Sequence, residues 1–574
     1  MKSHLSLISR GWAGAVSLLV LCLQSTQTPV LAQSHQPTFI KITNAPVASA
    51  FGNAHGCAWV DVDNDGWVDL FDVNYNVGDA IPSFLYRNQQ NGTFARITNG
   101  VLASRIGASP SCAWGDYDND GFADVFLPNQ SGRNWLFHNN GDGTFAEITS
   151  GAIATQDGAR IFNAAWGDYD NDGNLDLFAT GSSGGTNLLY RGHGDGTFTR
   201  ITNSLLTEGS FFLGCAWADF NNDGWLDLFV VKGRGTDMTQ PNRLYRNLGN
   251  GSFGRGSEGP VGTDVGNGLG CAWGDYDNDG FLDLFVPNEY GNKSFLYRND
   301  GDGTFTRVTE GPVVNEIGES LAAAWGDYDN DGFLDLFVAN GRGASGNNHT
   351  NFLYHNNGDG TFSKITNEPP VMDPGLWHGC AWGDYDNDGF MDLFVANWVG
   401  FASPRRPNGL YRNAGNSNSW LKVKLHGTIS NRSGIGAKVR VRTTIGGVTR
   451  WQMRQVSGGD GVIQNGILAH FGLSNATSID VVRVEWPSGI VTELTNIMPR
   501  QVLTIKEAPR LIRGSAAGEF QLMGGTGVGY CLEATTNLSN WLCVALLTNT
   551  QAVVPFSDSN APLFPLRFYR ARRQ

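Results

Sequence analysis

Charge is scarce in this chain and histidine scarcer. Only 16% of its 574 residues are charged, and there are 10 His. The formal net charge of −14 excludes a general nucleic-acid binder, which needs a basic surface. No His-Glu-x-x-His motif and no phosphate-binding loop is present. Past the first 32 residues no apolar run approaches the ~20 residues that a membrane span requires. An aromatic content of 11% excludes a disordered chain.

Glycine, by contrast, is abundant. At 76 residues it is nearly twice its usual share of about 7%, without a collagen period, so it serves turns and argues against long helices. The length fits roughly three or four ordinary domains unless repeats intervene. Residues 1–32 read as an export signal. Lys2 and Arg10 form a positive start, Gly11 to Leu23 a short apolar run, and Val30-Leu31-Ala32 a small-residue cleavage site. Leu21 is bulky for a lipoprotein signal at Cys22. The expectation is a soluble, exported product, extracellular or periplasmic.

One unit recurs seven times. Ala58-Trp59 returns at Ala113-Trp114, Ala165-Trp166, Ala216-Trp217, Ala272-Trp273, Ala324-Trp325 and Ala381-Trp382, each followed by an Asp-rich loop and an apolar run. A third segment such as Phe295-Leu296-Tyr297-Arg298, a glycine turn and a period-two segment complete the unit. Four short strands in about fifty residues predict a β-propeller blade, with an open solenoid as the alternative. The last unit lacks its fourth strand after Leu410-Tyr411-Arg412, whereas Thr38 to Thr43 supplies one before the first unit. Pairing the two would close a seven-bladed ring over residues 33–415 and protect its edges.

The loops carry the chemistry. Six read Asp-x-Asp-x-Asp-Gly-x-x-Asp, with aspartates at positions 1, 3, 5 and 9: Asp61, Asp63, Asp65 and Asp69; Asp116, Asp118, Asp120 and Asp124; Asp168, Asp170, Asp172 and Asp176; Asp275, Asp277, Asp279 and Asp283; Asp327, Asp329, Asp331 and Asp335; Asp384, Asp386, Asp388 and Asp392. The fourth has Asp219, Asn221, Asp223 and Asp227. Such clustered carboxylates repel unless a cation neutralises them. Calcium accepts 6–8 oxygens at loose geometry, which suits these side chains plus a position-7 carbonyl, so up to seven Ca²⁺ ions are expected. Position 12 lacks the EF-hand glutamate, and an Asx-turn that merely caps strands is the bland alternative. Residues 33–415 hold 21 Lys and Arg against 46 Asp and Glu; seven Ca²⁺ would bring the net charge of −25 to about −11.

On these motifs residues 38–413 resemble the FG-GAP (VCBS-type) repeat of integrin α-chain propellers and secreted bacterial proteins. Asn221, a neutral oxygen donor, departs from that pattern. Residues 416–507 lack Asp loops and carry 11 Lys and Arg against 5 Asp and Glu. Within them Gly427 to Ala437, His470-Phe471-Gly472-Leu473 and Val484-Glu485-Trp486-Pro487-Ser488-Gly489 resemble the ASPIC/UnbV domain. A propeller followed by this domain is the arrangement of the cartilage acidic protein family and its bacterial relatives, which implies an extracellular, calcium-linked binding protein and no defined reaction.

Residues 508–574 read as a small sandwich-like β-module resembling C-terminal modules of exported bacterial proteins, with candidate strands at 530–535, 541–547 and 566–571. A disulfide between Cys531 and Cys543 suits an oxidising compartment but is left open. Cys57, Cys112, Cys215, Cys271 and Cys380 share one repeat position with Ala164 and Ala323, which indicates a small buried slot.

Catalytic signals are thin. Gly181-Ser182-Ser183-Gly184-Gly185 matches a nucleophile elbow without its strand–turn–helix context. His55 and His378 occupy equivalent positions in the first and last units and would meet if the ring closes; a structural role leads over a ligand site. The long connections carry Tyr75, Tyr290, Trp377, Trp398, Phe401, Arg405 and Arg406, residue types suited to glycan or protein recognition, or to packing against a neighbouring domain. The leading expectation is a non-catalytic binding or adhesion protein recognising an extracellular glycan or protein. The alternatives are a calcium-stabilised polysaccharide lyase or hydrolase and a pure scaffold.

Overall fold

Each Ala-Trp run and the run after its Asp loop pair as antiparallel neighbours, because the loop turns the chain back within nine residues. Ala54–Val60 pairs with Asp69–Asn74, and Trp377–Gly383 with Asp392–Asn397, in one repeating register. The computed structural model describes residues 38–573, apart from 77–80, 156–159, 183, 210, 234–239, 257–258, 342–349, 399–405, 461, 514–517, 525–528, 549–552 and 564–566. The export-signal reading of residues 1–32 lies outside the described residues.

The repeats form seven four-stranded antiparallel sheets, so the protein is all-β, with helical turns of only three or four residues between some sheets. The last sheet takes its fourth strand from the start of the chain: Phe39–Lys41 lies beside Gly409–Asn413, with Phe39 opposite Asn413 and Lys41 opposite Tyr411. Among the described residues no helix is long and apolar enough to cross a membrane.

Successive sheets pack through aromatic pairs. The aromatic residue at loop position 2 stacks on the next repeat's tryptophan, as Tyr169 does on Trp217 and Tyr385 on Trp59, at centroid distances of 6.3 and 6.1 Å. Several tryptophans also donate their indole N–H to the preceding repeat's alanine carbonyl: Trp59 to Ala381, Trp166 to Ala113 and Trp382 to Ala324. Glycine after the tryptophan permits this approach, since a Cβ on Gly167 would lie 2.7 Å from Trp217. The five repeat cysteines are buried and free, as their exchange with alanine implies.

A circle of hydrogen bonds runs through the Asp loops. The asparagine at loop position 4 adopts positive φ (53° to 61°) in all seven, a conformation asparagine tolerates better than most residues. Its amide donates to the position-6 glycine carbonyl of the next loop: Asn64 to Gly121, Asn119 to Gly173, Asn171 to Gly224, Asn222 to Gly280, Asn278 to Gly332, Asn330 to Gly389 and Asn387 to Gly66, all at 2.7–3.1 Å.

After the repeats come a three-stranded sheet (Ala469–Ser474, Ser419–His426, Gln501–Lys506) and a four-stranded one (Val448–Gln455, Lys438–Ile445, Ile479–Glu485, Val491–Ile497). The Gly427 segment earns its sequence here. Its Thr428, Ile429 and Ser430 N–H groups all donate to the buried Glu507 carboxylate, joined by the Ser430 and Ser488 hydroxyls. The chain ends in two three-stranded sheets. A Cys531–Cys543 disulfide links neighbouring strands of one of them.

Candidate metal sites and the face that covers them

Each Asp loop is pre-shaped by its own backbone. The position-1 carboxylate accepts the position-6 glycine N–H, as in Asp61 with Gly66 (3.2 Å) and Asp384 with Gly389 (2.8 Å). In six loops the position-9 carboxylate accepts the position-2 N–H on one oxygen and a third-strand N–H on the other, while Asp227 of the fourth keeps the third-strand bond from Asn247. For Asp124 these donors are Tyr117 (3.2 Å) and Asn139 (2.7 Å). Position-9 side chains are at most 1% exposed.

Burial, with repulsion from neighbouring carboxylates, drives these acids toward the neutral form. Asp69 and Asp116 rise to about 7, Asp227 and Asp335 to about 8 and Asp124 to about 9, while Asp168, Asp176, Asp283, Asp327 and Asp392 also rise well above the carboxylate range. Asp116 Oδ1, Asp170 Oδ1, Asp227 Oδ2, Asp275 Oδ1 and Asp386 Oδ1 are buried and accept no hydrogen bond from the described residues. Within loops one, two and three, oxygens from three aspartates lie within 4.8 Å of one another, among them Asp61, Asp63 and Asp65, and Asp168, Asp170 and Asp176. Hard oxygen donors with orphaned lone pairs fit a divalent cation.

Two sources of positive charge reach these loops. The first lies in the repeat itself, where the third-strand residue before the asparagine or glycine faces the position-3 or position-5 carboxylate. Arg191 meets Asp170 (2.7 Å) and Asp172 (2.8 Å), Arg412 meets Asp386 and Asp388, Arg87 meets Asp63, and Arg246 meets Asp223 (3.4 Å). In loops two and six the residue is His138 or His355. A hydrogen bond to Asp335, with further help from Asp329 and Asp331, raises His355 to about 9 despite its partial burial. The recurring aromatic-Arg/His-Asn triplet of the third strand, such as Tyr86-Arg87-Asn88, Phe137-His138-Asn139 and Tyr354-His355-Asn356, was the available sequence signal for these partners.

The second source is the basic segment after the repeats. Lys422 Nζ lies 2.6 Å from Asp384 Oδ2, Lys438 Nζ 2.8 Å from Asp219 Oδ2, and Lys424 Nζ 3.5 Å from Asp61 Oδ2. The Gly472 N–H donates to Asp327 Oδ2 (3.1 Å), and fully buried Arg454 feels the charges of Asp327 and Asp275. The basic surplus of residues 416–507 is thus directed in part at the acidic loop face.

The same segment enters the axis. Ile463–Gln464 adds a short parallel strand beside Cys57 and Ala58. The Gln464 amide both accepts from the Trp114 N–H (2.8 Å) and donates to its carbonyl (2.9 Å). Gly458 O receives the Trp166 N–H and Asn465 Oδ1 the Trp382 N–H. Backbone groups on the innermost strands, otherwise an unpaired edge, find partners this way.

The opposite end of the axis is filled by side chains from the repeats. Phe162, Leu213, Leu269 and Leu321 pack in one cluster with Val462 and Ile463. His55 and His378 do meet, with ring centroids 4.5 Å apart. They are buried, however: His55 Nδ1 bonds the Pro110 carbonyl at 2.7 Å, and His378 lies 5.1 Å from Trp398. Of the two readings of the long-connection residues, recognition or packing, these two tryptophans take the packing one: Trp377 is 2% and Trp398 8% exposed, and the Trp377 indole N–H donates to the Asp373 carbonyl. Tyr290 is exposed and Arg406 half-buried; Phe401 and Arg405 lie outside the described residues.

Comparison with known proteins agrees with this organisation. The FG-GAP-like repeat pattern matches residues 76–127, 116–179, 168–230, 219–286, 276–338 and 342–395, together more than half of the chain, and the ASPIC and UnbV pattern matches 427–511. Cartilage acidic protein 1 of Xenopus tropicalis is 25% identical over 510 residues, covering 80% of this chain and 75% of that protein. The human protein of that name is 28% identical over 259 residues, 42% of this chain. This chain matches 39% of the mouse relative's length and 38% of the human one's. Among solved structures, an Agrocybe aegerita lectin recognising terminal N-acetylglucosamine aligns over 62% of this chain and 94% of its own (TM-score 0.40, 16% identity). A Burkholderia pseudomallei lectin aligns over 63% and 99% (TM-score 0.42, 17% identity). The repeated sheets with their Asp loops, and the basic domain seated over them, place the chain in the FG-GAP-like repeat family, with an ASPIC and UnbV domain following the repeats and cartilage acidic protein 1 as a homologue.

Proposed function

We propose that the chain is an exported, calcium-stabilised, non-catalytic binding protein. In this reading residues 1–32 are a signal peptide, 33–415 a seven-bladed propeller, 416–507 the ASPIC/UnbV domain and 508–574 a C-terminal module. The Asp loops hold calcium, up to seven ions, and recognition of an extracellular glycan or protein falls to surfaces other than the loop face. The observation that carries it is the arrangement of buried, orphaned carboxylate oxygens in loops sealed beneath a basic domain. Charges placed there serve the fold more readily than they serve a diffusing ligand. The Cys531–Cys543 disulfide suits an oxidising compartment.

Calcium binding only to the folded state would raise its stability by mass action. Metal analysis of the dialysed protein, with thermal denaturation in calcium and in chelator, tests the first half. Calcium should be retained and the chelator should lower Tm; an unchanged Tm sinks this part. Glycan and matrix-protein arrays run beside a reducing-end assay test the second half. Retention without release of reducing ends is expected, and turnover of any bound polysaccharide would replace this reading with an enzymatic one.

A further inference from the structure

Seven loops share one design, but their third-strand partners divide them into two kinds. In five loops the third-strand residue is an arginine, a permanent cation that offers no lone pair. Four of these pair directly with loop carboxylates, while Arg298 pairs with Asp300 and acts on Asp277 at longer range. In loops two and six it is an imidazole, placed among the oxygens rather than beside them. His138 Nδ1 lies 3.2 Å from Asp118 Oδ2 and 3.2 Å from Asp124 Oδ1. His355 Nδ1 repeats this at 3.4 Å from Asp329 Oδ2 and 3.1 Å from Asp335 Oδ1.

These separations match neighbouring ligands on a small ion. Four ligands at about 2.05 Å from a tetrahedral metal stand roughly 3.3 Å apart. Loop two adds an independent sign. Asp116 is 2% exposed, its Oδ1 accepts no hydrogen bond from the described residues, and the Asp116, Asp118 and Asp124 carboxylates converge within 4.8 Å. His138 touches two of these three carboxylates, Asp118 and Asp124, and converges within 4.8 Å with Asp118 and Asp120, so the orphaned Asp116 oxygen lies in the adjoining cluster. Nitrogen donors shift preference from calcium toward zinc-class ions, whereas oxygen-only sets favour calcium.

We propose that loops two and six are mixed nitrogen–oxygen sites for a zinc-class divalent ion, with His138 and His355 as ligands, while the five arginine-faced loops remain oxygen-only. This rests on the reading of the loops as cation sites. Asp118, Asp120 and Asp124 surround His138 in the first set; Asp329, Asp331 and Asp335 surround His355 in the second.

The test uses cobalt(II) as a visible probe on the untagged full chain in excess calcium, with Tm in calcium measured in parallel. Wild type should bind two Co²⁺ ions whose absorption is more intense than that of the aquo ion. His138→Arg and His355→Arg, each restoring the residue that five repeats carry, should each remove one and leave the calcium-dependent Tm in place. Arg191→His in loop three should add a third. Should an arginine variant fail to fold, His138→Gln and His355→Gln give the same readout. If calcium stabilises the protein but the cobalt spectrum is that of the aquo ion, or is unchanged by both His variants, this inference is overturned and the calcium reading stands. If neither ion binds, both fall together.

Discussion

The side-chain amide of Asn387 donates to the carbonyl of Gly66 at 3.0 Å across 321 residues of sequence. It is the last of seven equivalent bonds, and it joins the final loop to the first. The asparagines hold a left-handed backbone conformation, so each serves at once as the bend of its loop and as the tie to its neighbour.

Asn171 separates the two roles cleanly, because among the described residues its side chain bonds Gly224 alone, at 2.9 Å. Asn171→Gly keeps the backbone accessible and removes the tie. Its cost should be about 1 kcal/mol, the net worth of one such bond. Asn171→Asp, which lacks the donor, should cost at least as much without calcium. Equilibrium denaturation of both variants checks this, and a wild-type midpoint for the glycine variant would reduce the circle to a geometric coincidence.

Lys438 and Asp219 make a second tie, between domains. Their side chains are 4% and 8% exposed, and the ammonium also reaches the Asp219 carbonyl and Asn222. Removing one member of such a pair leaves a buried charge alone. Lys438→Met should therefore destabilise by about 3–5 kcal/mol, while Lys438→Met with Asp219→Asn should recover much of that loss. Added salt should hardly alter the single variant's deficit, since screening acts weakly on buried pairs. A double-mutant cycle in 0.05 and 0.5 M salt measures both effects.

The repeat, its strands and the closing segment at Thr38 were legible because they recur or complete a pattern: a unit that lacks its last strand, and a spare strand at the other end. The docked domain was not. Net charge announces attraction but not address, and Lys422 meets Asp384 only because a separate fold carries it there. The structural role that led for His55 and His378 was legible in their equivalent positions, whereas the burial of Trp377 was not, since exposure near the axis depends on what fills it. Arg191 and His138 were visible as recurring letters, yet their contact with the loop appears only once the third strand is laid beside the second.

Asp72 offers a pH test away from the loops. It is fully buried and its carboxyl rises to about 7, chiefly through burial, against the opposing effects of the Asn408 amide and Arg96; Cys57, Cys112 and Tyr86 are its other titratable neighbours. The folded state holds the proton more tightly than the unfolded state. Its contribution is therefore complete below pH ~4 and is lost as pH rises toward 7. Asp72→Asn keeps an acceptor for Asn408 and stays neutral. The variant should match wild type near pH ~3 and exceed it at pH ~8 by up to roughly 4 kcal/mol, an upper bound from a three-unit shift. Denaturation across that range in saturating calcium reads the difference, and parallel curves would mean that Asp72 is charged throughout.

Ring closure through Phe39 concentrates risk in a strand of three residues. Phe39 is fully buried, 5.6 Å from Tyr328 and 6.0 Å from Trp382, and the Glu368 carboxylate receives the Thr38 and Phe39 N–H groups. Phe39→Ala removes a buried ring and should cost about 3–5 kcal/mol. Glu368→Gln retains one acceptor and should cost less. Because the strand is held along one side only, its loss should first free the chain start and the last sheet, before global unfolding. Limited proteolysis should therefore cut Phe39→Ala near residue 43 or near 409–413 while calcium keeps the remaining repeats resistant. Uniform cleavage across all repeats would show instead that the ring opens and unfolds in one step.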